Sequence, residues 1–349
     1  MKAIDLRSDT ITLPDEEMIE KIQINKLGDD VYREDPLVNE LEAKAAKIMG
    51  KEEGLLVTSG TQGNLLGILS QTSRGDEIIL EREAHIYYYE VAGLAAIAGV
   101  MPKTLAGTDG MLDPAEILNS IRTQDIHQPI TRLLAVEQTH NRAGGTVIPL
   151  ENMQEIGKVT QEHNMAFHID GARIFNAATY LNIDVSKLAA PATTVQFCLS
   201  KGLSAPIGSI LVGSHETIEK ARKYRKMLGG GMRQAGIIAG PGIVALEKMT
   251  KRLHEDHSNA KELAKGLTSI SGAKWKIKEP QTNIIKITTP SGLAKKIVNE
   301  LMRVNVKAGT MDDHTVRFVT NRMVRTEDVS EVLTRIENSS ALLELIRTA

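Results

Sequence analysis

Residues 165–173 read Met-Ala-Phe-His-Ile-Asp-Gly-Ala-Arg, and residues 194–203 read Thr-Val-Gln-Phe-Cys-Leu-Ser-Lys-Gly-Leu. Each is an apolar run that ends in a charged residue followed by glycine: Asp170 in the first, Lys201 in the second. Runs of that length, rich in branched and aromatic residues, read as buried strands. Asp170 and Lys201 lie 31 residues apart, which leaves room for one crossover helix. Two successive parallel strands would therefore present both residues at their carboxyl ends, where open α/β sheets bind ligands.

The same alternation extends both ways. Gly54–Thr58, Glu77–Leu80, Arg132–Glu137 and Ser209–Val212 read as strands, and Val38–Ile48, Asn64–Ser70, Tyr89–Ala98 and Leu150–His163 as helices. The fold class is α/β with a mostly parallel sheet. After Pro241 a long helical pattern covers about Ile243–Leu267. Strand patterns at Lys274–Lys278, Asn283–Thr288 and Val316–Thr320 then alternate with helical ones at Lys295–Arg303 and Glu327–Arg347. The expected division is an N-terminal arm and large domain over 1–248, and a smaller C-terminal α+β domain over 249–349.

Composition narrows the function. Only 11 of 349 residues are Phe, Tyr or Trp, and the net charge is −2, which argues against stacking platforms for nucleic acid and against broad binding to nucleic acid or anionic membranes. The one cysteine, Cys198, excludes an intrachain disulfide and fits a reducing cytoplasm. No apolar run is long enough to span a bilayer.

Four segments carry candidate chemistry. Lys201 after a buried strand could be partly desolvated and nucleophilic, or a solvated loop lysine. Asp170 could pair with the ring nitrogen of a cofactor such as pyridoxal phosphate, or shape a loop with Arg173. Ser59-Gly60-Thr61, between a strand and a helix, offers backbone N–H groups and hydroxyls to a phosphate, or simply caps the helix. His85, beside Tyr87, Tyr88 and Tyr89, could stack on a planar cofactor or act as acid or base, or be a structural histidine. No Walker A motif and no well-placed G-x-G-x-x-G is present, which weakens a nucleotide-binding oxidoreductase. The basic run Lys220–Lys226 leading to the triplet Gly229–Gly231 suggests a solvated helix face followed by a close backbone approach. His254 and His257, three apart without a third ligand, read as surface residues, and no metal site is expected.

In this order the segments resemble the L-threonine aldolases of the low-specificity or L-allo-threonine type, pyridoxal-phosphate enzymes of fold type I, the aspartate-aminotransferase-like fold. The resemblance rests on Asp5–Thr10, Gly28–Pro36, Ser59–Asn64, His168–Asn176, Leu199–Leu203, Gly229–Gln234 and Val316–Thr320. It implies a lyase that cleaves L-threonine, L-allo-threonine and related β-hydroxy-α-amino acids to glycine and an aldehyde, in threonine breakdown and glycine formation. It implies Lys201 as the Schiff-base lysine, Asp170 at the pyridinium nitrogen and His85 over the ring. Ser59, Gly60, Thr61 and Arg233 would hold the phosphate side, and Arg173 would serve cofactor and substrate. Ser8, Arg173 and Arg317 would bind the substrate carboxylate, Tyr89 would lie near the substrate, and His127 would approach its hydroxyl. It implies a homo-oligomer, a dimer at least and a tetramer as expected, in which Lys226 and Arg233 arrive from a neighbour. A β-elimination lyase or aminotransferase of the same fold is the alternative activity, and a non-catalytic cofactor carrier is a further one. Arg33 and Ala92 stand where the family usually has glycine, and Asn321 where it commonly has histidine.

Overall fold

The N-terminal arm supplies a short strand, β1 (Ile4–Asp5), and a capped turn at Asp9–Ile11. In this computed structural model, residues 2–22, 24–272, 274–290 and 292–347 are described. The main sheet has seven strands: β2 (Glu53–Val57), β3 (Glu77–Glu81), β4 (Met101–Leu105), β5 (Thr131–Glu137), β6 (Ala166–Asp170), β7 (Thr194–Cys198) and β8 (Ser209–Gly213). Their order is β2-β8-β7-β6-β5-β3-β4, and β8 alone runs against the others. β3, β7 and β8 are buried along their whole length, as strands covered by helices on both faces must be.

The edge strand β4 is absent from the sequence reading, and its Met-Pro-Lys-Thr-Leu sequence explains why. Pro102 has no N–H for a ladder and is tolerated only at a sheet edge, where β4 lies. The helix Gly60–Leu69 starts four residues earlier than its apolar pattern, because Ser59 caps it by accepting from the Gln62 N–H. The helix expected over Tyr89–Ala98 is broken: His85–Tyr88 and Leu94–Ala98 are separate, and Val91 and Ala92 between them are both left-handed, at φ 51° and 57°.

The long helix expected over 243–267 is two helices, Gly236–Lys248 and Leu253–Ser271, joined by a tighter turn at Met249–Arg252. Beyond it, β9 (Lys276–Ile277), β10 (Ile284–Thr288), β11 (Val306–Lys307), β12 (Gly309–Thr310) and β13 (Thr315–Val319) complete the strands. Four of these form an antiparallel sheet in the order β12-β13-β10-β9, and β11 pairs in parallel with β1 of the arm. The pattern over 327–347 is likewise two helices, Thr326–Glu337 and Ser340–Arg347.

Two large apolar cores result. One gathers the main sheet with its helices, from Met18 to Leu253. The other joins the antiparallel sheet, the helices after Ala260 and the arm residues Ile4 and Leu6. The helix Leu253–Ser271 thus begins in one core and ends in the other, so the arm's first strand packs with the C-terminal residues and the change of core falls inside a helix. No helix among the described residues is long and apolar enough to cross a membrane.

Candidate active site

The carboxyl ends of the parallel strands all meet at one edge of the main sheet. Ser59 follows β2, His85 follows β3, Glu137 ends β5, Asp170 ends β6 and Lys201 follows β7. A cavity of about 350 Å³ opens there. Of the residues singled out from sequence, Ser8, His85, Tyr89, Arg173, Lys201 and Arg317 line it, together with Glu137 and Asn141.

Asp170 sits beside it, buried. Its carboxylate accepts from Asn64 Nδ2 at 2.9 Å and from the Ala172 N–H at 3.1 Å. In the amide orientation that satisfies both partners, Gln196 donates to Asp170 at 3.0 Å and accepts from the Phe197 N–H at 3.2 Å. No Lys, Arg or His forms a salt bridge with Asp170 among the described residues. A buried carboxylate held only by neutral donors is set to receive one more, cationic N–H.

His85 is fixed from both ends. Its backbone N–H donates to Glu137 Oε2 at 2.8 Å, and its Nδ1 lies 2.9 Å from Glu90 Oε1. Its ring is tilted 45° to that of Tyr89, with centroids 5.4 Å apart. Burial disfavours the His85 cation, but Glu90, Asp170 and Glu137 more than compensate, and its pKa is raised. The Glu90 carboxyl is pushed upward by burial and by Asp170, against the pull of His85 and Asn64. Tyr89 accepts through its hydroxyl from Arg142 at 2.9 Å, and the Arg142 guanidinium lies 4.0 Å above the Tyr88 ring.

The two arginines differ. Arg173 is buried and donates from Nε and Nη2 to both oxygens of Asp9, at 2.7 and 2.6 Å. This bidentate pair, with Asn283 donating to Asp9 at 3.2 Å, holds the guanidinium rigidly. Arg173 and Lys201 overcome burial and bring the Asp9 carboxyl to about 2. Arg317 donates only to neutral oxygens, those of Asn141 at 2.8 Å and of the Arg7 backbone at 3.1 Å, and its buried Nε has no partner. Burial and the Arg173 charge lower its pKa. Two neighbouring cations, one lacking a carboxylate, make a site for an anion.

The helix Gly60–Leu69 points its N-terminus at the same edge. A side chain at Gly60 would meet the Cys198 sulfur at 2.9 Å, so only glycine lets the turn approach β7 this closely. Ser59 satisfies the Gln62 N–H, and the earlier N–H groups of the first turn remain available to an anion.

Ser59, Gly60 and Thr61, at the helix N-terminus, are not among the residues that line the cavity, and neither are three more expected residues. His127 lies in the surface loop before β5, its side chain 82% exposed and paired with Asp125 at 2.8 Å. Lys226 is exposed on the helix His215–Met227, and Arg233 pairs with Asp29 at 3.0 Å. Their positions follow from loops and a helix that run over the outside of the single chain. His257 differs from its surface reading: it is buried, and its Nε2 accepts from Asn176 Nδ2 at 3.1 Å. Burial holds its pKa down, near 4, so the neutral ring can accept. Sequence reasoning gave no role to Asp9, Asn64, Glu90, Glu137 or Asn141. Asn64 alone carried a signal, as an amide on the buried side of an otherwise apolar helix.

A family model described as beta-eliminating lyase matches residues 5–290. The chain is 38% identical over 353 residues to low-specificity L-threonine aldolase 1 of Arabidopsis thaliana, covering 99% of this chain and 98% of that one. It is 39% identical over 330 residues to the low specificity L-threonine aldolase of Escherichia coli K12, covering 94% and 97%. The solved structure of a Leishmania major threonine aldolase superposes with a TM-score of 0.82 at 16% identity, covering 95% and 98%, which carries the fold.

Proposed function

The chain belongs to the beta-eliminating lyase family, and from that premise we propose that it is a pyridoxal-phosphate-dependent aldolase that cleaves L-threonine and L-allo-threonine to glycine and acetaldehyde. The observation that carries this is one cavity lined by the Lys201 amine and two arginines, one of them without a carboxylate, next to the cation-free carboxylate of Asp170.

The residues fit the cofactor. Lys201 offers the amine that would hold it covalently, and Asp170 the acceptor for a protonated ring nitrogen. His85 would cover the ring, and Ser59, Gly60 and Thr61 would take the phosphate at a helix N-terminus. When bound, pyridoxal phosphate supplies an electron sink for the pair released as the Cα–Cβ bond breaks.

The chain's own groups do the rest. Arg317 and the free edge of Arg173 bind the substrate carboxylate, with Ser8 beside them, and this fixes the direction of the Cα–Cβ bond; such positioning contributes several kcal/mol, roughly. His85, the histidine at the cavity, takes the β-hydroxyl proton as that bond breaks and the aldehyde departs. A proton delivered to Cα then completes glycine. The division at 248/249 and the cytoplasmic setting belong to the same proposal. So does a homotetramer, with His127, Lys226 and Arg233 completing a neighbour's cavity. Support for the assembly is their distance from the cavity in one chain and the exposed rings of Tyr87 and Tyr88.

The test is product analysis with both threonine diastereomers and added pyridoxal phosphate. Acetaldehyde and glycine are expected; ammonia and 2-oxobutyrate, or no product, would refute the aldolase reading. Lys201→Ala should lose the visible absorbance of the bound cofactor. Arg317→Ala should raise KM with little loss of cofactor, and an unchanged KM would contradict its role.

A further inference from the structure

One hydrogen-bond chain is buried beneath the cavity and runs through five side chains that the proposed reaction leaves unused or only partly used. Gln71 Nε2 donates to Thr194 Oγ1 at 2.8 Å, and that hydroxyl lies 2.8 Å from His168 Nδ1. His168 Nε2 lies 3.1 Å from Asn64 Oδ1. The Asn64 amide nitrogen then donates to two acids at once, Glu90 Oε1 at 2.8 Å and Asp170 Oδ2 at 2.9 Å. The same Glu90 oxygen meets His85 Nδ1 at 2.9 Å.

Donor counting assigns the protons along it. An amide has two N–H groups and one oxygen, so Asn64, committed to two carboxyl groups through nitrogen, must accept through Oδ1. His168 therefore donates from Nε2. Its ring is fully buried, and burial brings its pKa to about 4, so it is neutral and Nδ1 accepts the Thr194 hydroxyl proton. With Glu90 ionised, its oxygen has no proton to give and accepts from both neighbours, so the donor from His85 is Nδ1.

We propose that Glu90 is a positioning residue for the reaction: it holds the His85 proton on Nδ1 and so makes Nε2, at the cavity, the atom that exchanges a proton with substrate. Among the described residues nothing bonds to His85 Nε2. Asn64 adds a link, because the amide that fixes Glu90 also fixes the acid expected under the cofactor ring. The other charged groups facing His85 are Asp170 and Glu137, with the Tyr89 ring alongside. Removing the Glu90 charge therefore leaves two acids that attract a proton but none in contact with Nδ1. This assignment rests on the aldolase reading for its consequence, yet not for its geometry.

The first measurement is the imidazole tautomer of His85 in the wild-type protein without cofactor, from long-range proton–nitrogen NMR, assigned with His85→Gln. A proton on Nδ1 in the neutral ring is expected, and a proton on Nε2 with bare Nδ1 overturns the proposal without any need of a Glu90 variant. In Glu90→Gln the His85 titration should move to lower pH, and Glu90→Asp should restore part of it; an unmoved titration overturns the proposal. With pyridoxal phosphate and threonine, Glu90→Gln should lose kcat on the order of 10²-fold, the lower end of what a placed acid or base contributes, with KM little changed. Its acidic limb should move down with the His85 titration. Equal losses at every pH with raised KM would show a merely structural role and overturn it. Should wild type cleave no threonine while His85 keeps its proton on Nδ1, the aldolase reading fails and the Glu90 assignment to His85 stands.

Discussion

Ala92 and Arg33 occupy left-handed backbone at φ 57° and 59°, and both are positions where the resembled family carries glycine. For a residue with a Cβ that conformation costs about 1–2 kcal/mol. Ala92→Gly should therefore raise stability by about 1 kcal/mol in denaturant melts, and an unchanged midpoint would count against strain there. Arg33 forms an exposed ion pair with Glu219, so Arg33→Gly gives up a weak contact and should gain less. His168 carries a pH prediction. Its folded pKa, near 4, lies below the ordinary 6.5, so the unfolded chain binds the extra proton and stability falls as pH drops from 6.5 toward 4. The slope from one such group is at most about 1.4 kcal/mol per pH unit. His257 acts in the same direction. Asp256, raised to about 6 by burial, acts oppositely: its stability is present below pH 3.8 and is lost as pH rises through 6. Glu90 and Glu42, also raised, act with Asp256, so the expected outcome is for the single group: His257→Asn should remove the share of the fall below pH 6.5 that His257 carries.

At the scale of elements, the turn from β2 into the helix Gly60–Leu69 combines a cap, a close approach and an anion site. Gly60→Val would drive a side chain into Cys198 and push the helix off β7. Pyridoxal phosphate affinity should fall at least 10-fold while the secondary structure persists, since one displaced N-terminus loses several N–H donors to the phosphate. Unchanged cofactor affinity would remove the helix from the phosphate site. The apolar patterns made the main strands and most helices legible in the sequence, because a strand buried on both faces is apolar over most of its length. They failed where the backbone, not the side chains, decided. Val91 and Ala92 look helical by composition, but their left-handed backbone separates the helix His85–Tyr88 from the helix Leu94–Ala98. Met249–Arg252 keeps the helical period, and only the packing of two cores shows the break.

For the molecule as a whole, Asp9 is the point where three parts meet. It comes from the arm, grips Arg173 of the large sheet and accepts from Asn283 beside the antiparallel sheet. Asp9→Ala should cost about 3–5 kcal/mol, the usual penalty for stranding a buried charge. It should also raise KM for the amino acid, because Arg173 would lose its orientation, and an unaffected KM would detach the arm from substrate binding. The sequence by itself determined the α/β class and the line of strand ends carrying Ser59, His85, Asp170 and Lys201, because periodicity and spacing are local and survive without a fold. Only the tertiary structure decided that Arg317 faces the same cavity from the second core, that His127 does not, and that Asn64, Glu90 and Asp9 are the groups that hold the site. Those are contacts between residues tens to hundreds of positions apart, and their hydrogen-bond geometry exists only once both cores have formed.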